Sequence, residues 1–166
     1  MPQRFPPPDL PAAAPPCAGW VVHCDGSALP NPGRMGLGAV LVAPDGTRHA
    51  LSQDTHLHGC NNEAELRALM TALAALRQHG AASAQVYCDN SILVEQLGGA
   101  PARAPARLAA LFAQARALLG GFEHVRLGWV PRHRNAQADA LARAALGLAP
   151  KQPAGSHPKG QKRRKR

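Results

Sequence analysis

Two aspartates stand where a carboxylate is unfavourable. Asp25 ends the apolar run WVVHCD at 20–25, and Asp89 ends AQVYCD at 84–89. Each follows a cysteine, in the strings HCDGS and YCDNS. A charge at the end of a buried strand costs free energy unless a partner compensates it. One such Asp is readily explained as a turn former or a cap, and Asp89 is placed to cap a helix over 90–97. Two in like settings, on strands that can be neighbours, point to a shared cation. Hard divalent cations such as Mg²⁺ take oxygen ligands, and crowded carboxylates repel one another unless a cation sits among them. Two metals roughly 4 Å apart can activate a water and stabilise the leaving oxygen of a phosphodiester. That chemistry needs about three or four carboxylates converging from different elements.

More acids are within reach. The string NNEAEL at 61–66 offers Glu63 and Glu65. At about 100° per residue each lies roughly 80° from the centre of the apolar stripe, on opposite sides, so spacing does not choose between them. Acids in a first turn also favour the helix dipole. Asp139 falls one turn after Asn135 and shares a face with Ala142. Taken alone, it too reads as a dipole acid.

The elements that must position these acids alternate in type. Strands are expected at 20–25, 36–43 and 48–53, the last two joined by the turn APDG, which suggests an antiparallel meander. Leu66, Leu69, Met70, Leu73 and Leu76 predict a helix from Asn62 to His79, stopped by Gly80. A strand at 84–89, a short helix Asn90–Leu97, a helix Arg107–Leu119 and a strand at 124–130 follow. The string GGAPARAP at 98–105 breaks the chain. A last helix runs Asn135–Leu146, with Asn135 as N-cap and Gly147 past its end. The order β-β-β-α-β-α-α-β-α gives an α/β fold, a mixed five-stranded sheet covered by helices.

The chain of 166 residues suits one domain with tails. Residues 1–18 are Pro- and Ala-rich and 150–166 are basic and broken by Pro and Gly, so both read as disordered, leaving a domain over 19–149. The formal charge of +9 resides mostly in the tail: 151–166 hold seven Lys/Arg and no acid, whereas 19–150 are only +2. Composition therefore says little about what the domain binds. The cysteines Cys17, Cys24, Cys60 and Cys88 lack metal-binding spacing and read as reduced, mostly buried thiols. A Cys24–Cys88 bridge is the alternative, since the two can lie on adjacent strands. No apolar run suffices to span a bilayer and no signal peptide is visible, so a cytoplasmic protein without a membrane partner is expected. Nothing suggests more than a monomer.

Taken together the motifs DGSALPNPG (25–33), NNEAEL (61–66), YCDNS (87–91) and WVPRHRNAQADALA (129–142) resemble the type 1 ribonuclease H family over residues 19–147. Each string is weak alone; all four in the family's order are a strong signal. The resemblance implies a ribonuclease H-like fold with strand order 3-2-1-4-5. It selects Glu65 over Glu63, and it implies that Asp25, Glu65, Asp89 and Asp139 are catalytic and hold Mg²⁺, with two ions and Mn²⁺ as a substitute. The implied activity is endonucleolytic hydrolysis of the RNA strand of an RNA–DNA hybrid, leaving a 3′-hydroxyl and a 5′-phosphate. His133 matches the family's mobile histidine, which assists proton transfer or product release. Only Arg134 separates it from Asn135, a shorter loop than in many relatives. Gly26, Ser27, Asn31, Asn61 and Asn62 match positions that bind the hybrid, where 2′-hydroxyls distinguish RNA from DNA. Ser91 stands where relatives often have a Gln that touches RNA, and Cys60 where some have a Thr on a DNA phosphate.

Some relatives carry a basic protrusion where this chain has GGAPARAP, so the chain resembles a compact bacterial-type subgroup without it. The tail KGQKRRKR is then expected to supply phosphate attraction that is salt-sensitive and sequence-independent. Removing residues 151–166 should raise KM and flatten the salt dependence; unchanged kinetics would make it a solubilising tail. Two other functions fit the fold: a non-catalytic nucleic-acid-binding module and a DNA-directed nuclease.

Overall fold

The structure, a computed structural model, describes residues 19–98 and 105–152. The segment 1–18, most of GGAPARAP and the tail beyond 152 lie outside the described residues, and with them the disorder expected of both tails. Five strands, β1 (Trp20–Leu29), β2 (Gly33–Val42), β3 (Arg48–Gly59), β4 (Ser83–Cys88) and β5 (His124–Trp129), form one sheet in the order β3-β2-β1-β4-β5. The β1–β2 and β2–β3 pairs are antiparallel; β1–β4 and β4–β5 are parallel. The helices are α1 (Asn61–Gln78), α2 (Ser91–Gly98), α3 (Ala109–Leu119) and α4 (Ala136–Ala145). A mixed sheet in the order 3-2-1-4-5, flanked by four helices, is the expected fold.

One face of the sheet carries the core. Leu66, Leu69, Leu73 and Leu76 of α1 are fully buried against Val22, Leu37, Leu41 and Val86 of the strands and Phe112 of α3. Burying each such leucine contributes roughly 1.5–3 kcal/mol relative to exposing it. The other face receives α4, and glycines make that approach possible. A Cβ on Gly36 would overlap the Ala142 carbonyl, and one on Gly38 would overlap the Ala138 carbonyl. The helix therefore rests on bare β2 backbone, which sets the depth of its side chains over the sheet.

Three expectations need correction. Asp25 does not end its strand, because β1 runs on to Leu29 through a ladder that pairs Gly26 with Leu37 and Leu29 with Arg34. Small and polar residues have weak strand propensity, but the partner strand overrides it. Likewise β3 continues past 53 to Gly59, with Asp54 accepting the His56 amide at 2.8 Å and pairing with Arg34. The third concerns caps. Asn90, not Asp89, caps α2: its Oδ1 accepts the amides of Ile92 and Leu93 at 3.0 and 3.3 Å. Asn135 does occupy the N-cap position of α4 but makes no side-chain cap bond.

Candidate active site

Parallel register brings the two strand aspartates together. His23 of β1 faces Tyr87 of β4, their rings 5.1 Å apart. Two residues further along each chain, on the same face, come Asp25 and Asp89. β4 has ended at Cys88, so Asp89 stands at its C-terminal edge. Helix α1 delivers Glu65 from its first turns. It can approach because Gly26 lacks a Cβ, which would overlap the Ala64 carbonyl and the Glu65 amide.

Carboxylate oxygens of Asp25, Glu65 and Asp89 lie within 4.8 Å of one another. Asp139 of α4 lines the same cavity of about 570 Å³, with Gly26, Ser27, Asn61, Arg132 and His133 on its walls. It lies outside the tight trio and pairs with Lys151 Nζ at 3.4 Å. Glu63, the acid that spacing left open, points elsewhere and binds Arg67 at 2.9 Å.

Electrostatics explain why the trio is unusual. Asp25 is only 7% exposed. Burial, then the charges of Asp89, Glu65 and Asp139, push its carboxyl up to about 8. Burial raises Glu65 to about 7, against the hydrogen bond it accepts from Asn90. Acids driven toward their neutral forms are what a crowded, partly buried all-oxygen set shows when protons must do the work of a cation. The donor chemistry suits a hard divalent ion, and the residues fit one.

Neighbouring amides hold the acids. Asn90 Nδ2 donates to Glu65 Oε2 and, at 3.1 Å, to Asn62 Oδ1. Asn135 Nδ2 reaches the Cys24 carbonyl at 2.9 Å and Asp89 Oδ2 at 3.3 Å. Sequence reading assigned neither role: in a string such as YCDNS an Asn signals only a turn or a cap. Arg132, which faces Glu65 electrostatically, and Lys151 were also passed over, since single cations beside a basic tail carry no pattern.

A second cavity of about 500 Å³ continues the first. Asn61, Glu65, Asp89 and Arg132 line both, joined here by Asn31, Cys60, Asn62, Ser91 and Arg107. Three of the expected hybrid-binding side chains are already partly engaged within the protein. Asn61 Oδ1 accepts the Ala28 amide at 2.9 Å, Asn31 Oδ1 accepts the Asn61 amide at 3.1 Å, and Asn62 holds Asn90. His133 is exposed in the 3₁₀ turn Arg132–Arg134, on the wall of the carboxylate cavity.

The thiols take no part in this chemistry. Cys24, Cys60 and Cys88 are free, so no Cys24–Cys88 bridge forms. Burial pushes the Cys24 thiol well above its usual range and Cys88 to about 11, which leaves both protonated. Cys17 lies outside the described residues.

Comparisons with known proteins agree with this fold. A family model described as reverse transcriptase-like matches residues 23–145. The chain is 38% identical over 130 residues to a bifunctional protein of Mycobacterium tuberculosis, covering 78% of this chain and 36% of that one. It therefore spans about a third of the length of the mycobacterial proteins it matches. It is 38% identical over 142 residues to ribonuclease HI of Halobacterium salinarum, covering 84% of this chain and 71% of that protein. Among solved structures, RNase H1 from Halobacterium salinarum superposes with a TM-score of 0.72 at 34% identity, covering 77% of this chain and 97% of that one. LC11-RNase H1 in complex with an RNA/DNA hybrid gives 0.69 at 28% identity, covering 77% and 96%.

Proposed function

The chain belongs to the ribonuclease H family, and on that footing we propose that it is an endonuclease that hydrolyses the RNA strand of RNA–DNA hybrids. The observation that carries this reading is the trio Asp25, Glu65 and Asp89, with carboxylate oxygens within 4.8 Å and Asp139 on the same cavity wall. A module that only binds nucleic acid has no use for such a set.

Asp25, Glu65, Asp89 and Asp139 would hold the metal. Two Mg²⁺ ions, with Mn²⁺ as a substitute, would supply Lewis-acid activation of a water and charge neutralisation at the phosphodiester. The protein's own groups do the rest. Asn135 and Asn90 fix the orientations of Asp89 and Glu65, as second-row partners commonly do for metal ligands. The Gly26 and Ser27 backbone beside Asp25, with Asn31, Asn61 and Asn62 along the joined cavities, supplies polar contacts for a hybrid. His133 on the wall can move a proton to or from the reacting oxygens. The products are a 3′-hydroxyl and a 5′-phosphate.

We also propose a monomer working in the cytoplasm, which light scattering and cell fractionation test. Among the described residues no helix is long and apolar enough to cross a membrane.

The activity test offers labelled hybrid, duplex RNA, duplex DNA and single strands, each with Mg²⁺. Cutting only of the hybrid's RNA is expected, lost in Asp25→Asn with the fold intact. Cutting of DNA would make the chain a DNA-directed nuclease. No cutting with any metal would make it a binding module.

A further inference from the structure

We propose that Lys151 is a residue of the carboxylate site: the resting counter-ion of Asp139 and, with substrate bound, a ligand for a backbone phosphate of the hybrid. This rests on the hybrid-cleaving reading above.

The geometry starts at the end of α4. Gly147 adopts a left-handed φ of +74°, and the amides of Gly147 and Leu148 return to the carbonyls of Ala144 and Arg143 at 2.9 and 3.0 Å. That cap reverses the chain. Arg143 Nε then pins the Ala149 carbonyl at 2.8 Å. The returning segment runs back along the helix. From Ala145 to Asp139 is about 9 Å of helix at ~1.5 Å per residue. A few extended residues cover the same span at roughly 3.3–3.6 Å each. Lys151 arrives beside Asp139, with Nζ 3.4 Å from Oδ1. Pro150, Lys151 and Gln152 thereby become a wall of the cavity that holds Asp25, Glu65 and Asp89.

The chemistry makes this position useful. Lys151 is the sole lysine among the described residues. Its side chain is 62% exposed, against 20% for Asp139. Such an exposed pair binds weakly, so the ammonium can exchange partners. Lysine is a compact point charge on a flexible stem and accepts a phosphate oxygen from many angles. Arg132 acts electrostatically on Glu65 and lines the same cavity. A phosphodiester over the carboxylates would thus have two cations within the cavity lining.

The test compares full-length wild type, Lys151→Gln and Lys151→Arg. Calorimetry reads Mg²⁺ affinity without substrate. Losing the competing ammonium should tighten Mg²⁺ binding two- to five-fold in Lys151→Gln and leave Lys151→Arg near wild type. Fluorescence anisotropy on an Asp25→Asn background, where cleavage is blocked, reads hybrid binding against salt. Lys151→Gln should weaken binding three- to ten-fold and lower the slope of log K on log salt by about 0.7–0.9, one phosphate contact. Lys151→Arg should keep the slope. Unchanged Mg²⁺ affinity overturns the resting pair, and an unchanged slope overturns the phosphate contact; either defeats the proposal. Wild-type cleavage in the substrate-panel assay is the separate check on the function. A failed Lys151 test with cleavage intact therefore leaves that reading standing.

Discussion

Asn135 donates a side-chain hydrogen bond to Asp89 Oδ2 at 3.3 Å. The same nitrogen lies 2.9 Å from the carbonyl of Cys24, the residue before Asp25. Its backbone carbonyl also accepts the Asp139 amide at 3.1 Å. The side-chain amide thus ties the strand bearing Asp25 to the edge bearing Asp89, and the backbone of the same residue opens the helix bearing Asp139. Asn135→Ala should lower activity by about 10–100-fold, the usual loss when a residue orienting metal ligands is removed. Asn135→Asp should lose more, because it sets a further negative charge against Asp89. Steady-state kinetics beside thermal melts checks this. Loss of activity in proportion to loss of folded protein would make Asn135 merely structural.

The roles of such amides were hidden in the sequence for a physical reason. Asp25 and Asp89 stood out because acids in apolar strings need compensation, and the motif order selected Glu65. Asn135 and Asn90 sit at helix starts, where an Asn is expected to cap. Asn90 does cap α2, while also holding Glu65 with its nitrogen. Asn135 forgoes the cap for contacts far away in sequence. A local propensity cannot reveal a partner 111 residues distant. The same holds for β1 beyond Asp25, where DGSAL joins the sheet only because β2 pairs with it. The helices and strand order were legible because they rest on periodicity and on the whole motif set.

Stability without metal should fall as pH rises. Folded Asp25 keeps its proton up to about 8, against an ordinary 3.8, and folded Glu65 up to about 7, against 4.5. Between those limits the folded state binds more protons than the unfolded one, so raising pH favours unfolding. The contribution is present below the ordinary values and is lost as pH passes the folded ones. In EDTA, Tm should decline between pH 5 and 8, and Asp25→Asn should flatten the decline. Added Mg²⁺ should recover stability most at the alkaline end, since its ligands must be deprotonated. A Tm that rises with pH in EDTA, other groups held constant by the variant, would contradict the arrangement.

Gly26→Ala should damage fold and activity together. The new Cβ would overlap the Ala64 carbonyl and the Glu65 amide, forcing α1 away from β1 and carrying Glu65 with it. Overpacking of this kind costs typically 1–3 kcal/mol. Gly46→Ala is the comparison, because its φ of +88° is strained for alanine but open space surrounds it. It should lower Tm modestly and leave kcat alone. Equal activity in the two variants would mean that the close approach at Gly26 does not set the position of Glu65.

Arg107 should act on substrate binding and not on the chemical step. Its guanidinium lies 3.2 Å from Cys60 Sγ, in the cavity shared with Asn31, Asn61, Asn62 and Arg132. Cysteine sulfur is a weak acceptor, so an exposed guanidinium there remains available for a bidentate phosphate contact. The cavity joins the carboxylate site through Glu65 and Asp89, which puts such a phosphate beside, not at, the reacting centre. Arg107→Ala should raise KM for hybrid several-fold at moderate salt, flatten its salt dependence by about one contact and leave kcat within about twofold. Arg107→Lys should restore the salt slope but only part of the affinity, since lysine cannot offer the planar fork. A fall in kcat with KM unchanged would place Arg107 at the reaction itself and reject the assignment.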